Sequence, residues 1–209
     1  MIDNWISKLK FKKSYEKFVE KLVSKTFSAN QLTIIGLIFG LLAAFTIFMS
    51  GIFVDFSLFL ICVSAILMTI SFFIDTLDGP IARLKGPTVF GGILDIFCDR
   101  TVEISIIIAI VSTDTINLIY PGLFSLASII LCISMFLLVG SLSERHNDAN
   151  KSKVIKYRKG LIERSETYLF LLAITILFFW RVLLLWIFTI LIFITALLRL
   201  RDAYILFQN

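Results

Sequence analysis

Four aspartates stand close together in the apolar stretch from Phe72 to Arg100: Asp75, Asp78, Asp95 and Asp99. Asp75 and Asp78 are three residues apart and Asp95 and Asp99 are four apart, so each pair shares one face of a helix. The Lys-Gly-Pro-Thr segment at 85–88 predicts a turn that brings the two pairs together across a helical hairpin. Four facing carboxylates suit one or two hard divalent cations, Mg²⁺ or Mn²⁺.

A simpler alternative exists for each aspartate, because one near the end of a membrane span can lie among lipid headgroups or pair with an arginine. Four of them at helical spacing, with small residues between, favour a functional site. Ionisable side chains are costly inside a membrane and are usually kept there for function.

The composition indicates an all-α integral membrane protein. Of 209 residues, 58% are hydrophobic, and the mean hydropathy is +0.95. Long runs carry no charge: Thr26–Val54, Phe56–Ile74, Thr115–Ser143 and Val182–Leu198. The shorter run Thr167–Trp180 and the aspartate-bearing segment Thr88–Thr113 complete six predicted transmembrane helices, each close to the length that a bilayer requires.

The chain divides into an N-terminal segment and one membrane domain. Residues 1–25 alternate apolar side chains with seven lysines, which predicts an amphipathic helix lying in the membrane interface, with an ordinary solvated helix as the alternative. Residues 26–209 are predicted to form the six-span domain. We expect the polar segment Ser112–Gly122 to join the third and fourth spans as a turn on the far side.

The basic residues predict the orientation. All but one of the 20 lysines and arginines fall on one side of the six predicted spans, and the exception is Arg181. The positive-inside rule therefore places both termini and the aspartate site on the cytoplasmic side of the cell membrane. A nucleic-acid-binding function is disfavoured, since the basic residues are divided among membrane-face loops.

At the aspartates, the sequence resembles the CDP-alcohol phosphotransferase family. The shared motif reads Asp75-x-x-Asp78-Gly79-x-x-Ala82-Arg83 followed by Gly91-x-x-x-Asp95-x-x-x-Asp99. Here seven residues separate Arg83 from Gly91, one fewer than the family usually has.

The resemblance implies a membrane enzyme of phospholipid synthesis that transfers a substituted phosphate from a CDP-linked lipid to an alcohol and releases CMP. The donor would be CDP-diacylglycerol or an ether analogue. The resemblance also implies two metal ions, with Asp75 and Asp95 as bridging ligands, Asp78 on the first ion and Asp99 on the second. Asp99 would also accept the proton of the attacking hydroxyl. Relatives are homodimers, so a homodimer is expected.

Donor-binding residues are expected around the hairpin. Asn30 and Thr33 resemble the family's Pro-Asn-x-x-Thr element, with Ala29 in place of proline, although capping of the first span could also explain Asn30. A second group of candidates lies in or beside the motif. The small residues Gly79 and Ala82 let a bulky ligand approach, and Arg83 can pair with a phosphate. Thr88 matches a Thr-x-Phe-Gly turn of relatives. Without the motif, Arg83 could instead be a snorkelling residue at the end of a span.

The acceptor is predicted to be a phosphorylated polyol such as inositol phosphate or glycerol phosphate. Arg145 and Arg164 flank a basic loop at the ends of spans four and five, where they could bind the acceptor phosphate, or the loop could simply contact headgroups. The segment 160–166 resembles the phosphatidylinositol-phosphate synthase-like branch of the family, but Thr167 replaces a second arginine and Ser143 a lysine. Serine or unphosphorylated inositol are the alternative acceptors.

A cation transporter that uses the aspartates is the alternative from another class. It would need acidic residues along a path to the far side, whereas Asp55 and Asp114 lie only at the far surface of the predicted spans.

Two further predictions concern packing and pairing within the chain. Gly36 and Gly40 favour close packing within the chain, and Glu103 is expected to pair with a basic residue.

Overall fold

The computed structural model describes residues 28–149 and 164–207, with side chains for 28–142 and 165–205. The predicted interfacial helix at 1–25 therefore lies outside the described residues. All regular elements in the described ranges are helices. They are α1 (Ala29–Ile52), α2 (Ser57–Lys85), α3 (Val89–Thr113), α4 (Thr115–Ala149), α5 (Arg164–Ile176) and α6 (Arg181–Phe207), with 3₁₀ turns at Val54–Phe56 and Phe178–Trp180.

Four segments of the described chain are long and apolar enough to cross a membrane: Ala29–Ile52, Val54–Lys85, Thr115–Leu142 and Phe178–Ile205. They correspond to the predicted spans one, two, four and six. Helix α3 is long but carries the charged residues of the site, and the described part of α5 has only 13 residues. The structure therefore supports an all-helical membrane protein with four clear candidate spans.

The six helices share one apolar core. Buried side chains from every helix meet in it, including Ile47, Met68, Ile107, Leu118, Leu171 and Phe188. Helix α1 packs along both α2 and α3, and α4 packs along α6. Helix α1 thereby holds the α2–α3 hairpin, which carries all four aspartates, in a fixed position.

Small residues on α1 make this packing possible. The hydroxyl of Ser71 on α2 donates a 2.7 Å hydrogen bond to the carbonyl oxygen of Gly36. A Cβ atom on Gly40 would lie 2.5 Å from Cγ2 of Val102 on α3, which is closer than carbon atoms can approach. The prediction that the two glycines serve packing within the chain is confirmed.

Replacing Gly40 by alanine should therefore destabilise the protein. The added methyl group must displace Val102, and overpacking of this kind costs about 1–3 kcal/mol. Thermal unfolding of the purified protein in detergent should show a lower midpoint for Gly40→Ala. The matched control is Gly140→Ala on α4, where a Cβ atom would meet nothing within 4 Å. Equal midpoints for the two variants would contradict the packing model.

The connection between α3 and α4 differs from the expected turn over Ser112–Gly122. Helix α3 ends at Thr113 and α4 begins at Thr115, so Asp114 alone separates them. The side chain of Asp114 accepts hydrogen bonds from the backbone nitrogen and the Nδ2 of Asn117, at 3.3 and 2.8 Å. The polar residues that suggested a turn instead stabilise the first turn of the next helix, since an aspartate can satisfy free backbone N–H groups there.

Arg181, the first residue of α6, connects α6 to α3 and α5 by hydrogen bonds. Its guanidinium donates to the carbonyl oxygens of Ile174 and Thr175 at the end of α5, at 3.2 and 3.1 Å. It also donates to the hydroxyl of Thr113 on α3, at 2.9 Å. These bonds satisfy carbonyls that have no partner within their own helix, and they fix the far ends of α3, α5 and α6.

Candidate active site

The hairpin of α2 and α3 brings three of the four aspartates together. One carboxylate oxygen from each of Asp75, Asp95 and Asp99 lies within 4.8 Å of the other two, and all three residues are partly buried. Helix α2 contributes Asp75, and α3 contributes the other two at i and i+4. Three carboxylates at this separation are a ligand set for a hard divalent cation, because one ion can contact an oxygen of each.

Asp78 lies outside that cluster, one turn further along α2. Its carboxylate is buried and accepts a 2.7 Å hydrogen bond from the hydroxyl of Thr33 on α1. The sequence predicted Asp78 as a metal ligand and Thr33 as a donor-binding residue, and the structure brings these two side chains into contact with each other. The contact fixes the first turn of α1 against the aspartate-bearing part of α2.

The turn between α2 and α3 is formed by residues suited to it. Helix α2 ends at Gly86, whose φ of 95° is strained for any residue with a side chain. Thr88 begins α3 as its N-cap, accepting a 3.0 Å hydrogen bond from the backbone nitrogen of Gly91. A Cβ atom on Gly91 would lie 2.9 Å from the Thr88 hydroxyl and 3.1 Å from Oδ1 of Asn30, so a larger residue would have to displace these side chains.

An open groove runs beside this turn, between the start of α1 and the hairpin; we call it the hairpin groove. It is lined by Ser28, Ala29, Asn30, Thr33, Asp78, Gly79, Ala82, Lys85, Gly86, Pro87, Thr88, Gly91, Gly92 and Asp95. Five of the six predicted donor-binding residues line it, and the sixth, Arg83, is exposed and does not. Lys85 also lines the groove, although it was not among the predicted donor-binding residues. Its position seven residues after Asp78 could have indicated this, since i and i+7 share a helix face.

Asn30 belongs to this groove and does not cap α1. The cap is Ser28, which forms reciprocal hydrogen bonds with Gln31: Oγ accepts from the Gln31 backbone nitrogen, and the Ser28 backbone nitrogen donates to the Gln31 side chain. The alternative that capping explains Asn30 is therefore wrong. Its side-chain oxygen instead lies near Gly91, at the start of α3.

A second, partly open cavity is lined by residues of α3, α4, α5 and α6; we call it the arginine pocket. Its volume is about 270 Å³. Its polar lining residues are Asp95, Asp99, Arg100, Glu103, Cys132, Thr167, Thr195 and Arg199. Asp95 lines both the hairpin groove and the arginine pocket, so the two cavities meet at the aspartates.

Two arginines line this pocket. The guanidinium of Arg100 contacts Glu103 at 2.5 Å and lies 3.9 Å from Asp99, which confirms the predicted pairing of Glu103 with a basic residue. Arg199 donates a 2.9 Å hydrogen bond to the Cys132 carbonyl oxygen and lies 5.2 Å from the centre of the Phe136 ring. No local sequence pattern indicates that α6 faces the aspartates, so the position of Arg199 beside them was not predictable.

The two arginines predicted to bind the acceptor stand at helix ends near the basic loop. Arg145 lies in the last turns of α4, and Arg164 is the first described residue of α5. Their side chains lie outside the described residues, so their role stays a prediction.

The family model for CDP-alcohol phosphatidyltransferases matches residues 26–198. The archaetidylinositol phosphate synthase of Pyrococcus horikoshii is 33% identical over 102 residues, which cover 48% of this chain and 50% of that protein. The match thus spans half the length of that relative.

Solved structures share the fold. The phosphatidylinositol phosphate synthase of Mycobacterium tuberculosis, crystallised with CDP-DAG bound, superposes with a TM-score of 0.69 at 20% identity, covering 90% of this chain and 92% of that one. The same enzyme in complex with manganese and citrate gives 0.70 at 20% identity, covering 90% and 88%. With the family model matched over most of its length, the chain belongs to the CDP-alcohol phosphatidyltransferase family of membrane transferases of phospholipid biosynthesis.

Proposed function

We propose that this enzyme transfers a phosphatidyl-type group from a CDP-linked lipid to a hydroxyl of a phosphorylated polyol, such as inositol phosphate or glycerol phosphate, and releases CMP. The observation that carries the proposal is the meeting of two cavities at one carboxylate cluster. The hairpin groove and the arginine pocket share Asp95, so a donor in one and an acceptor in the other would meet at the aspartates.

The carboxylates suit two Mg²⁺ or Mn²⁺ ions. Asp75, Asp95 and Asp99 already lie within reach of a common ion, and Asp78 is one helical turn from Asp75. In this proposal Asp75 and Asp95 would contact both ions, Asp78 would hold one of them and Asp99 the other. Bound ions would hold the pyrophosphate and offset the negative charge that develops on the leaving phosphate.

The reaction is an in-line displacement at the lipid-side phosphorus. The acceptor oxygen forms a bond to this phosphorus, and the bond from phosphorus to the bridging oxygen breaks, with its electron pair leaving on CMP. Asp99 takes the hydroxyl proton, since it lines the arginine pocket where the acceptor would lie. Asn30, Gly79, Ala82 and Thr88 would hold the nucleotide in the hairpin groove, where bare backbone permits close approach.

Two guanidinium groups in the arginine pocket favour a phosphorylated acceptor. Arg100 and Arg199 line it on helices α3 and α6, and guanidinium groups are well suited to binding phosphate. Arg145 and Arg164 belong to α4 and α5, the other two helices that line the pocket, and we propose that they contribute to the same phosphate site. The related synthase of Pyrococcus horikoshii, by its name, makes an inositol phosphate lipid.

We further propose a cell-membrane protein of six spans, with both termini and the active site facing the cytoplasm, acting as a homodimer. Residues 1–25 would lie on the membrane surface as an amphipathic helix, and residues 26–209 would form the catalytic domain. The basic residues near the cytoplasmic ends support this orientation.

An acceptor scan tests the function. Purified protein in detergent with Mg²⁺ is given CDP-diacylglycerol, and CMP release is measured with inositol phosphate, glycerol phosphate, inositol and serine. We expect one of the two phosphorylated polyols to give release at least about tenfold faster than serine or inositol, because an arginine–phosphate contact is a strong charge-assisted bond. A parallel series with an ether-linked donor compares the donor lipids. Faster release with serine or free inositol would contradict a phosphorylated acceptor.

A further inference from the structure

One basic side chain lines the hairpin groove among the described residues, and it is Lys85. The other charged lining residues are Asp78 and Asp95, and most of the remainder are small or uncharged. A donor pyrophosphate brings more negative charge toward these carboxylates. A cation in the same groove would therefore attract the phosphates of a nucleotide bound there.

Lys85 is placed on the groove by the geometry of α2. Asp78, Ala82 and Lys85 follow one another at four and three residues, which keeps them on one face of the helix. Arg83 is turned by about 100° from Ala82, since each residue of an α-helix advances by that angle. Arg83 accordingly does not line the groove, although it is the motif's own basic residue.

The direction of the side chain also suits a contact inside the groove. Side chains on an α-helix tilt toward its N-terminus, so the four-carbon stem of Lys85 leads back toward Ala82 and Asp78. Lys85 lies about 10 Å further along the helix axis than Asp78, at 1.5 Å per residue. Its ammonium group can thus reach the part of the groove between the aspartates and the turn.

The short turn fixes this placement. Lys85 is the last residue of α2, because Gly86 adopts a left-handed φ of 95° and Pro87 follows. Thr88 then caps α3. Seven residues separate Arg83 from Gly91, so the end of α2 stays close to the start of α3, on either side of the groove.

We propose that Lys85 binds the nucleotide-side phosphate of the CDP-linked donor and holds CMP as it departs. The inference rests on the proposed function. During transfer this phosphate gains the electron pair of the broken phosphorus–oxygen bond, while Asp99 takes the hydroxyl proton. A lysine ammonium is a strong donor to phosphate oxygens and stabilises this added charge.

Binding of CMP to purified protein with Mg²⁺, measured by isothermal titration calorimetry, tests the proposal. Lys85→Met should weaken CMP binding by about tenfold or more, the effect of losing a charge-assisted bond. Lys85→Arg should stay within about threefold of the native protein because the charge is kept. The control is Arg201→Met, an exposed residue on α6 away from both cavities, which should bind CMP like the native protein.

Three results would overturn the proposal. Unchanged CMP binding by Lys85→Met would mean that the lysine only contacts headgroups or solvent. Loss of CMP binding in Arg83→Met but not in Lys85→Met would show that Arg83 binds the phosphate instead. Native protein that neither binds CMP nor releases it from CDP-diacylglycerol would overturn the proposed function as well, whereas the first two results leave that function intact.

Discussion

Asp99→Asn is expected to abolish transfer while the protein still inserts into the membrane and folds. Asparagine has the shape of aspartate, but it cannot accept the hydroxyl proton and is a poorer ligand for a hard cation. Loss of a general base alone lowers rates by about 10²–10⁴-fold, and loss of a metal ligand adds to this. We therefore expect CMP release by the variant to fall by at least about 10³-fold.

Folding should survive this change because asparagine keeps the shape of aspartate, and Arg100 keeps its close partner Glu103. The matched control is Asp55→Asn, an exposed aspartate in the far-side turn before α2, which should retain native activity. Size-exclusion profiles and thermal midpoints of both variants should match those of the native protein. Activity of Asp99→Asn within tenfold of native would rule out Asp99 as the base.

Removal of divalent cations is expected to have an effect at least as large. Three carboxylate oxygens within 4.8 Å of one another repel each other, and a bound divalent cation would offset that repulsion. CMP release in excess EDTA should fall to background, and either Mg²⁺ or Mn²⁺ should restore it. Full turnover in excess chelator would contradict the two-metal mechanism.

The local chemistry of the site was predictable from the sequence, because it depends on spacing along two helices. The i,i+3 and i,i+4 aspartates and the Gly-Pro turn predicted the hairpin, and Gly36 and Gly40 predicted close packing of α1. Each of these patterns is read within one segment or across one turn, where helical geometry alone determines which residues are neighbours.

Contacts between distant helices were not predictable in this way. In a chain that is 58% hydrophobic, most helix faces look alike, so periodicity does not reveal which helix packs beside which. Arg199 on α6 reaches the cavity beside Asp99 only because α6 packs along α4. The pairing of Thr33 with Asp78, across 45 residues, depends on the packing of α1 against α2 in the same way.

The turn between α3 and α4 shows another limit. Ser112, Asp114 and Asn117 carry the polarity expected of a loop, yet the helices are interrupted at Asp114 only. The same side chains that favour turns also cap helices, and the sequence does not distinguish the two uses. Pro121, a second loop signal, lies inside α4.

Anomalous diffraction from crystals of the native protein soaked with Mn²⁺ tests most directly whether the four aspartates bind two divalent ions. We expect two anomalous peaks between α2 and α3, each about 2.0–2.2 Å from carboxylate oxygens of Asp75, Asp78, Asp95 or Asp99. In crystals of Asp99→Asn, the peak beside residue 99 should be absent. Protein that is active with Mn²⁺ but shows no peak among these four carboxylates would contradict the two-metal site.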